Sequence, residues 1–284
     1  MFQRAQAVAH SVIAGLVSQG LRSCVLHSRF AWEAIAEMVD MVTTRQQNIP
    51  QPMDEVSGPP VSNVLRELLT PLEFANLLLF WWRLPFHLRG NGQTVLLLPG
   101  LGGGERSMAI IREYLRVLGY GPQDWGLGRN DGRVMDKLPR VNEMVRTLAR
   151  EAGGPIILIG WSLGGYFARE AARDNPADVS QVITLGSPLV GGPKYTATAR
   201  FFGRRGLDHD AIEARIAERY RTPLKVPVTS IYSKGDGVVS WQASVDEWSP
   251  HAENIEVSTT HFGFGISREV LTHIAERLVL VQSR

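Results

Sequence analysis

A strand pattern passes directly into a helix pattern at residues 155–165, and this junction constrains the fold more than any other part of the chain. Its sequence is Pro-Ile-Ile-Leu-Ile-Gly-Trp-Ser-Leu-Gly-Gly, an apolar run of strand length that ends in Gly-x-Ser-x-Gly. The glycines two residues before and after Ser162 remove Cβ atoms that would collide in a tight strand-to-helix turn. A hydroxyl on such a turn projects from the carboxyl end of a sheet, so we predict that Ser162 is a nucleophile.

Apolar runs of strand length alternate with helical patterns from residue 92 onward. Runs without internal polar alternation, each followed by a helix, indicate a parallel sheet that is covered on both faces. Right-handed crossovers then place the carboxyl ends of all strands at one edge. We therefore predict an α/β fold with a mostly parallel sheet. The predicted strands are 94–98, 123–127, 156–159, 182–185, 227–232 and 255–258, and the predicted helices are 106–118, 134–152, 163–173 and 267–280.

Residues 1–90 contain no convincing strand, and we predict that they form an N-terminal helical region before an α/β domain at 91–284. The helical patterns lie at 2–20, 29–46, 61–69 and 71–83. Within the second region, residues 189–225 are longer than a plain crossover requires and carry a glycine-rich turn followed by aromatic and basic residues. This segment is either a lid over the sheet edge or an ordinary surface excursion.

Composition excludes several classes of function. A formal net charge of +2 over 284 residues does not favour a nucleic-acid partner. Cys24 is the single cysteine, so an intramolecular disulfide is impossible. No metal-binding or cofactor-binding pattern is present, and no apolar run reaches the ~18 residues of a spanning helix. The localisation is not fixed, although a cytoplasmic or peripherally membrane-associated protein is favoured.

The most apolar segment begins at Phe74 and ends at Trp82, and it is too short to cross a bilayer. Adjacent tryptophans beside an arginine suit an interface. The partner in that interface is either the rest of the fold or a membrane surface, and the sequence leaves both open.

A serine hydroxyl needs a neighbouring base, and that base needs an orienting acid. Of the histidines that follow Ser162 at a useful distance, His261 comes directly after a predicted strand, at the carboxyl edge of the sheet. His251 precedes that strand, and His273 falls inside the last predicted helix. We predict that His261 is the general base.

The best candidate for the acid is Asp236, which lies in a glycine-flanked loop just after the predicted strand 227–232. A carboxylate there could reach the histidine, although Asp-Gly pairs are also common in turns. Asp246 and Glu247 are alternatives that lie further along the chain.

The reaction also requires hydrogen-bond donors for the developing oxyanion. The backbone N–H of Leu163, directly after the nucleophile, is one candidate. The second is Leu101, in the turn Leu-Pro-Gly-Leu-Gly-Gly-Gly at 98–104. This turn lacks the Gly-Lys-Ser/Thr ending of a phosphate loop, so a nucleotide site is disfavoured.

With these residues identified, the chain resembles the α/β-hydrolase fold family, and most closely its compact lipase and esterase branch. The resemblance covers about residues 92–284 and rests on the segments 98–103, 160–165, 185–188 and 233–239, together with His261. In that family, the positions matching Ser162, Asp236 and His261 form the catalytic triad, and those matching Leu101 and Leu163 form the oxyanion hole.

The chain also departs from the family's patterns. Pro99-Gly100 replaces the usual His-Gly, and Ser187-Pro188-Leu189 replaces the Thr-Pro-His of many lipases. Residues 1–90 do not supply the family's usual first two strands, so the resemblance implies a six-stranded sheet with helices on both faces.

The resemblance implies a carboxylic ester hydrolase that works through an acyl-enzyme on Ser162. The expected substrate is a small-molecule ester with an acyl chain, and no cofactor or metal is expected. An acyltransferase would use the same acyl-enzyme, and a catalytically inactive interaction protein would keep only the scaffold. The sequence does not fix the oligomeric state.

Overall fold

The computed structural model describes residues 58–189, 195–197, 219, 222, 224–247 and 249–282. The helices predicted at 2–20 and 29–46 lie outside these residues, as does most of the lid candidate at 189–225. Within that candidate, the described residues 195–197 lie beside the loop after the fifth strand, where Thr196 and Val239 form an antiparallel bridge.

Six parallel strands form one sheet in the order β2-β1-β3-β4-β5-β6. The predicted α/β fold with a six-stranded parallel sheet is therefore confirmed. In this order, β2 and β3 lie on opposite sides of β1 in the sheet. This reversal in the strand order creates a topological switch point between β1 and β3. The strands are β1 Thr94–Leu98, β2 Gly121–Asp124, β3 Ile156–Trp161, β4 Val179–Leu185, β5 Val228–Tyr232 and β6 Ala252–Glu256.

Seven α-helices are assigned in the described part of the chain. Short 3-10 turns precede or follow several of them, at Glu67–Leu69, Trp81–Arg83, Glu105–Met108 and Phe262–Gly265. The α-helices are α1 Val61–Arg66, α2 Thr70–Phe80, α3 Ala109–Leu118, α4 Val134–Ala152, α5 Leu163–Asp174, α6 Trp241–Ser244 and α7 Arg268–Gln282.

Alternate side chains of the central strands enter two different cores. Val95 and Leu97 of β1 pack with α3 and α7 on one face, whereas Leu96 and Leu98 pack with α4 and α5 on the other. Both faces are thus covered by helices, which explains why the central strands read as continuous apolar runs. The helices that follow β1 and β3 lie on opposite faces, so a crevice opens between the carboxyl ends of these two strands.

Two edge strands differ from the predicted bounds. β2 runs from Gly121 to Asp124 rather than 123–127, and β6 runs from Ala252 to Glu256 rather than 255–258. Both strands are only partly buried and carry polar residues, so the apolar runs nearby mark other features. Trp125, for example, is fully buried against the α4 and α5 side of the sheet just beyond the end of β2.

The N-terminal helical patterns at 61–69 and 71–83 correspond to α1, α2 and their 3-10 turns. Leu77 and Leu84 join the core on the α7 face, so part of the apolar segment packs against protein. Leu79 and Trp82 are 61% and 59% exposed. No helix among the described residues combines the length and apolar character needed to span a membrane.

Candidate active site

Ser162 occupies a strained turn between β3 and α5. Its φ of 52° and ψ of −123° make it the one non-glycine residue with positive φ in the described part of the chain. Such a conformation costs about 1–3 kcal/mol and persists only where neighbouring contacts enforce it. Here the Ser162 N–H donates to Leu185 O at 2.8 Å, and the Gly165 N–H donates to Ser162 O at 2.9 Å.

The glycines around Ser162 are required by crowding. A Cβ atom at Gly160 would lie 2.5 Å from the Gly165 Cα, and one at Gly164 would lie 2.6 Å from the Leu98 carbonyl carbon. A Cβ at Gly165 would lie 2.7 Å from Ser187 Cβ. Real Cβ atoms do not approach other atoms this closely, so the motif's glycines allow α5 to pack directly on the loops after β1 and β4.

The predicted acid and base are hydrogen bonded to each other. His261 Nδ1 lies 2.8 Å from Asp236 Oδ2, and the two residues are 4% and 2% exposed. Asp236 follows β5 and His261 follows β6. The second oxygen of Asp236 accepts the backbone N–H groups of Val238 and Val239, each at 2.7 Å. These two bonds fix the carboxylate, so the acid is held in place before any substrate binds.

The alternative candidates have other partners. Asp246 forms a buried ion pair with Arg169 at 2.6 Å. His273 Nδ1 lies 3.0 Å from Glu276 Oε2 on the same helix, and His251 is exposed in the turn before β6. The geometry therefore pairs Asp236 with His261 and leaves the other candidates in different environments.

Ser162 and His261 lie at the same edge of the sheet, close to the β1–β3 switch point. The ring of Trp161, the residue before the serine, lies 6.1 Å from the His261 ring between centroids. Gly100, in the loop after β1, lies on the other side of the elbow, and a Cβ atom added to this glycine would be 3.9 Å from Ser162 Oγ. Because Nδ1 of the imidazole is hydrogen bonded to Asp236, Nε2 is the nitrogen that can accept a proton from a hydroxyl.

Opposing effects act on the pKa of His261. Burial acts to lower it, because the interior disfavours the charged imidazolium. The charge and hydrogen bond of Asp236, together with the charge of Glu67, act in the opposite direction. They outweigh burial, so the pKa of His261 is raised above 6.5.

The loop after β1 carries Leu101 and is held in place by a residue that was not predicted, Asn130. Its side-chain amide donates to Pro99 O at 2.8 Å, and its backbone exchanges hydrogen bonds with Gly102 and Gly103, both at 2.7 Å. Asn130 is fully buried. The backbone N–H of Leu101 has no acceptor within the described part of the chain, which leaves it available to a ligand.

Leu163 is the first residue of α5. Backbone N–H groups in the first turn of a helix have no intrahelical acceptor, and the helix dipole favours negative charge there. Both predicted oxyanion donors therefore border the elbow on backbone that can offer an N–H group. No cluster of three His, Cys, Asp or Glu side chains suited to a metal ion occurs among the described residues.

A second unpredicted residue, Glu67, reaches the loops of both Asp236 and His261. Its carboxylate accepts the backbone N–H of Gly237 at 2.8 Å, of His261 at 2.7 Å and of Phe262 at 3.1 Å. Glu67 is 4% exposed, and burial is the main reason that its pKa is raised. In the sequence it reads as an ordinary polar residue of a short helix, so no pattern pointed to it.

The sheet order, the elbow after β3 and the loops after β5 and β6 define the α/β-hydrolase fold, and the chain has this fold. The resemblance found in the sequence is thus confirmed at the level of the fold. No protein-family model matches the chain.

Among curated proteins, the chain is similar to a pimeloyl-(acyl-carrier protein) methyl ester esterase of Aliivibrio fischeri, with 31% identity over 87 residues. The match covers 31% of this chain and 31% of the esterase, so it spans less than a third of the relative's length.

The chain is similar to two solved structures. An α/β superfamily hydrolase of Oenococcus oeni gives a TM-score of 0.50 at 17% identity, over 68% of this chain and 94% of the other. An α/β hydrolase enzyme from a sediment metagenome of the Mar Chica lagoon, Morocco, gives 0.49 at 19% identity, over 69% and 94%. At 17% identity, the similarity to the Oenococcus oeni hydrolase shows the fold alone.

Proposed function

We propose that the chain is a serine hydrolase that cleaves a carboxylic ester through an acyl-enzyme on Ser162. The observation that carries this proposal is the buried 2.8 Å hydrogen bond between Asp236 and His261, at the sheet edge that also presents the Ser162 elbow. A buried histidine with an orienting carboxylate beside a strained serine is the arrangement that activates a hydroxyl.

In the proposed mechanism, Ser162 Oγ attacks the ester carbonyl carbon while His261 Nε2 takes the hydroxyl proton. Asp236 keeps the imidazole in the tautomer that leaves Nε2 free and stabilises the imidazolium that forms. The N–H groups of Leu101 and Leu163 donate to the oxyanion. The imidazolium then protonates the leaving alcohol, and a water activated by the same base releases the acid.

The substrate class is supported by the curated relative, whose name describes the hydrolysis of a methyl ester. We extend only the reaction class, carboxylic ester hydrolysis, to this chain. Trp161 and Phe262 present rings beside the His261 imidazole, at centroid distances of 6.1 and 5.8 Å. These apolar surfaces favour an ester with an acyl chain over a small polar ester.

A fluorophosphonate probe tests the nucleophile, since it phosphonylates only an activated serine. We expect the wild type to be labelled and Ser162→Ala to remain unlabelled. Ser180→Ala is the matched control, because Ser180 Oγ bonds Ile156 O at the opposite end of β3. Equal labelling of the wild type and Ser162→Ala would contradict the assignment.

A chain-length series of p-nitrophenyl esters then tests the substrate. We expect kcat/KM to rise from acetate to longer acyl chains, and activity limited to acetate would refute the preference. Adding an alcohol to the same assay separates hydrolysis from acyl transfer. Hydrolysis predicts that free acid remains the main product, whereas a new ester as the main product would identify an acyltransferase.

A further inference from the structure

The carboxylate of Glu67 joins the two loops that carry Asp236 and His261. Oε1 accepts the N–H of Gly237, directly after the acid, and the N–H of His261 itself, at 2.8 and 2.7 Å. Oε2 accepts the N–H of Phe262 at 3.1 Å. One buried side chain therefore sets the separation of two loops that approach each other only in the folded sheet.

Other side chains of residues 61–73 bind the same loops. The Asn63 amide donates to Asp236 O at 3.2 Å, and the hydroxyls of Thr70 and Thr260 lie 2.9 Å apart. Glu73 Oε1 accepts the N–H of Thr260, the residue before the histidine, at 2.8 Å. The segment thus contacts the backbone on both sides of the catalytic pair.

The packing between this segment and the loops is tight at two glycines. A Cβ atom at Gly237 would lie 2.9 Å from Glu67 Cγ, and one at Gly263 would lie 2.7 Å from the Glu73 carboxyl carbon. Glycines in both loops therefore allow the two carboxylates to reach the backbone. A shift of the segment would move the loops with it, since side chain and backbone are in direct contact.

Among the described residues, every hydrogen-bond partner of the Glu67 side chain is a donor, which is the environment that an ionised carboxylate needs. Its charge acts on His261 in the same direction as that of Asp236. Other charged groups also lie around the histidine loop and the loop that carries Asp236. Glu73 accepts the backbone N–H of Thr260, and Arg66 and Glu269 form hydrogen bonds with Ser258. Lys234, in the loop that carries Asp236, pairs with Glu256.

We propose that Glu67 is a positioning residue that holds the Asp236 loop and the His261 loop in the geometry required for proton transfer. This inference rests on the proposed serine-hydrolase function. It assigns a role in that reaction to a helical segment that precedes the sheet and has no counterpart among the motifs of the resemblance.

The test compares Glu67→Gln in the full chain with the wild type and with Glu113→Gln. Glutamine keeps the size of the side chain but replaces one acceptor oxygen by an N–H₂ group, which faces a donor. Glu113 is a matched control on α3, where it pairs with Arg116. The measurements are the rate of fluorophosphonate labelling, kcat and KM for a p-nitrophenyl ester as functions of pH, and thermal unfolding.

We expect Glu67→Gln to lower kcat and the labelling rate by about 10- to 100-fold, the range that follows from small displacements of catalytic groups. KM should change little, because Glu67 does not line the ester-binding surface proposed above. The acidic limb of the kcat/KM profile should move to lower pH, since a negative charge near His261 is removed. Glu113→Gln should match the wild type, and Glu67→Asp should recover part of the lost rate.

The outcomes separate the two proposals. A wild type without Ser162-dependent labelling means that the proposed function is wrong, whatever Glu67 does. A labelled wild type with a folded Glu67→Gln variant of equal rate and unchanged pH profile means that the positioning role is wrong. If Glu67→Gln does not fold, Asn63→Ala replaces it. The Asn63 amide donates to Lys234 O and Asp236 O in the same loop, and we expect its removal to lower the rate at least about fivefold. An unchanged rate in folded Asn63→Ala would then overturn the inference.

Discussion

The buried ion pair between Arg169 and Asp246 offers a way to distinguish a structural carboxylate from the carboxylate that we propose as the acid. Asp246 is one of two aspartates that the sequence offers as the acid after β5. In the fold it lies 2.6 Å from Arg169 of α5, and the side chains are 0% and 2% exposed. The substitution Asp246→Asn keeps the shape of the residue but removes the negative charge from this buried ion pair.

The expected cost follows from burial. Removing one partner of a buried ion pair destabilises a protein by about 3–5 kcal/mol, because the remaining charge stays out of water. In a domain of this size, each kcal/mol lowers the Tm by roughly 2–4 °C. Asp246→Asn should therefore lower the Tm by about 6–20 °C.

Two measurements on two variants test this reasoning. Below its Tm, folded Asp246→Asn should be labelled by the fluorophosphonate at close to the wild-type rate. Under the proposed mechanism, Asp236→Asn should lower the labelling rate by up to about 10⁴-fold, the loss seen when Ser-His-Asp enzymes lose the orienting carboxylate. The assignment is refuted if Asp246→Asn stops labelling while still folded and Asp236→Asn does not.

Three further predictions follow from the site and the surface. Because the pKa of His261 is raised, the acidic limb of the kcat/KM profile should have its midpoint above pH 6.5, and a midpoint at or below 6.5 would contradict this reasoning. The same shift in pKa stabilises the fold below pH 6.5, and this contribution is lost as the pH rises through the raised pKa. Ser162→Gly should be more stable than Ser162→Ala by about 1 kcal/mol in thermal or urea unfolding, since glycine relieves the positive φ; equal stability would mean that the turn stores no strain. Leu79 and Trp82 are largely exposed, so replacing both with serine should reduce cosedimentation with liposomes, and a wild type that does not bind liposomes rules out membrane contact through this segment.

The central sheet could be predicted from the sequence because its strands are buried on both faces. β1 was predicted with its observed bounds, Thr94–Leu98, and the predicted helix 134–152 coincides with α4. The edge strands were displaced by several residues, because β2 and β6 are held by backbone pairing with one neighbour rather than by burial of an apolar run. The hydrophobic pattern of a sequence indicates which residues are buried, and the residues of edge strands are the least buried in a sheet.

The candidate site was predictable wherever position along the chain fixes position in space. Ser162, Asp236 and His261 each follow a strand, and in a parallel sheet the strand ends share one edge. Asn130 and Glu67 could not be found in this way. Each binds backbone groups far away in sequence: Asn130 donates to a carbonyl, and Glu67 accepts N–H groups. Every residue type except proline carries both backbone groups, so these hydrogen bonds leave no motif in the sequence.

The hydrogen bonding of the Asp236 and His261 loops to a residue outside the sheet has a physical cause. The N–H groups of Gly237, His261 and Phe262 lie in the loops after β5 and β6, and they donate to Glu67 instead of to a neighbouring strand. A buried donor without a partner costs about 1–3 kcal/mol, and a single carboxylate removes that cost for three groups at once. Since Glu67 meets donors from both loops, any motion that separates the acid from the base also breaks hydrogen bonds to Glu67. The alignment of Asp236 with His261 is therefore coupled to the docking of a segment that precedes the first strand, and changes in that segment should alter the rate of the proposed reaction without touching the substrate.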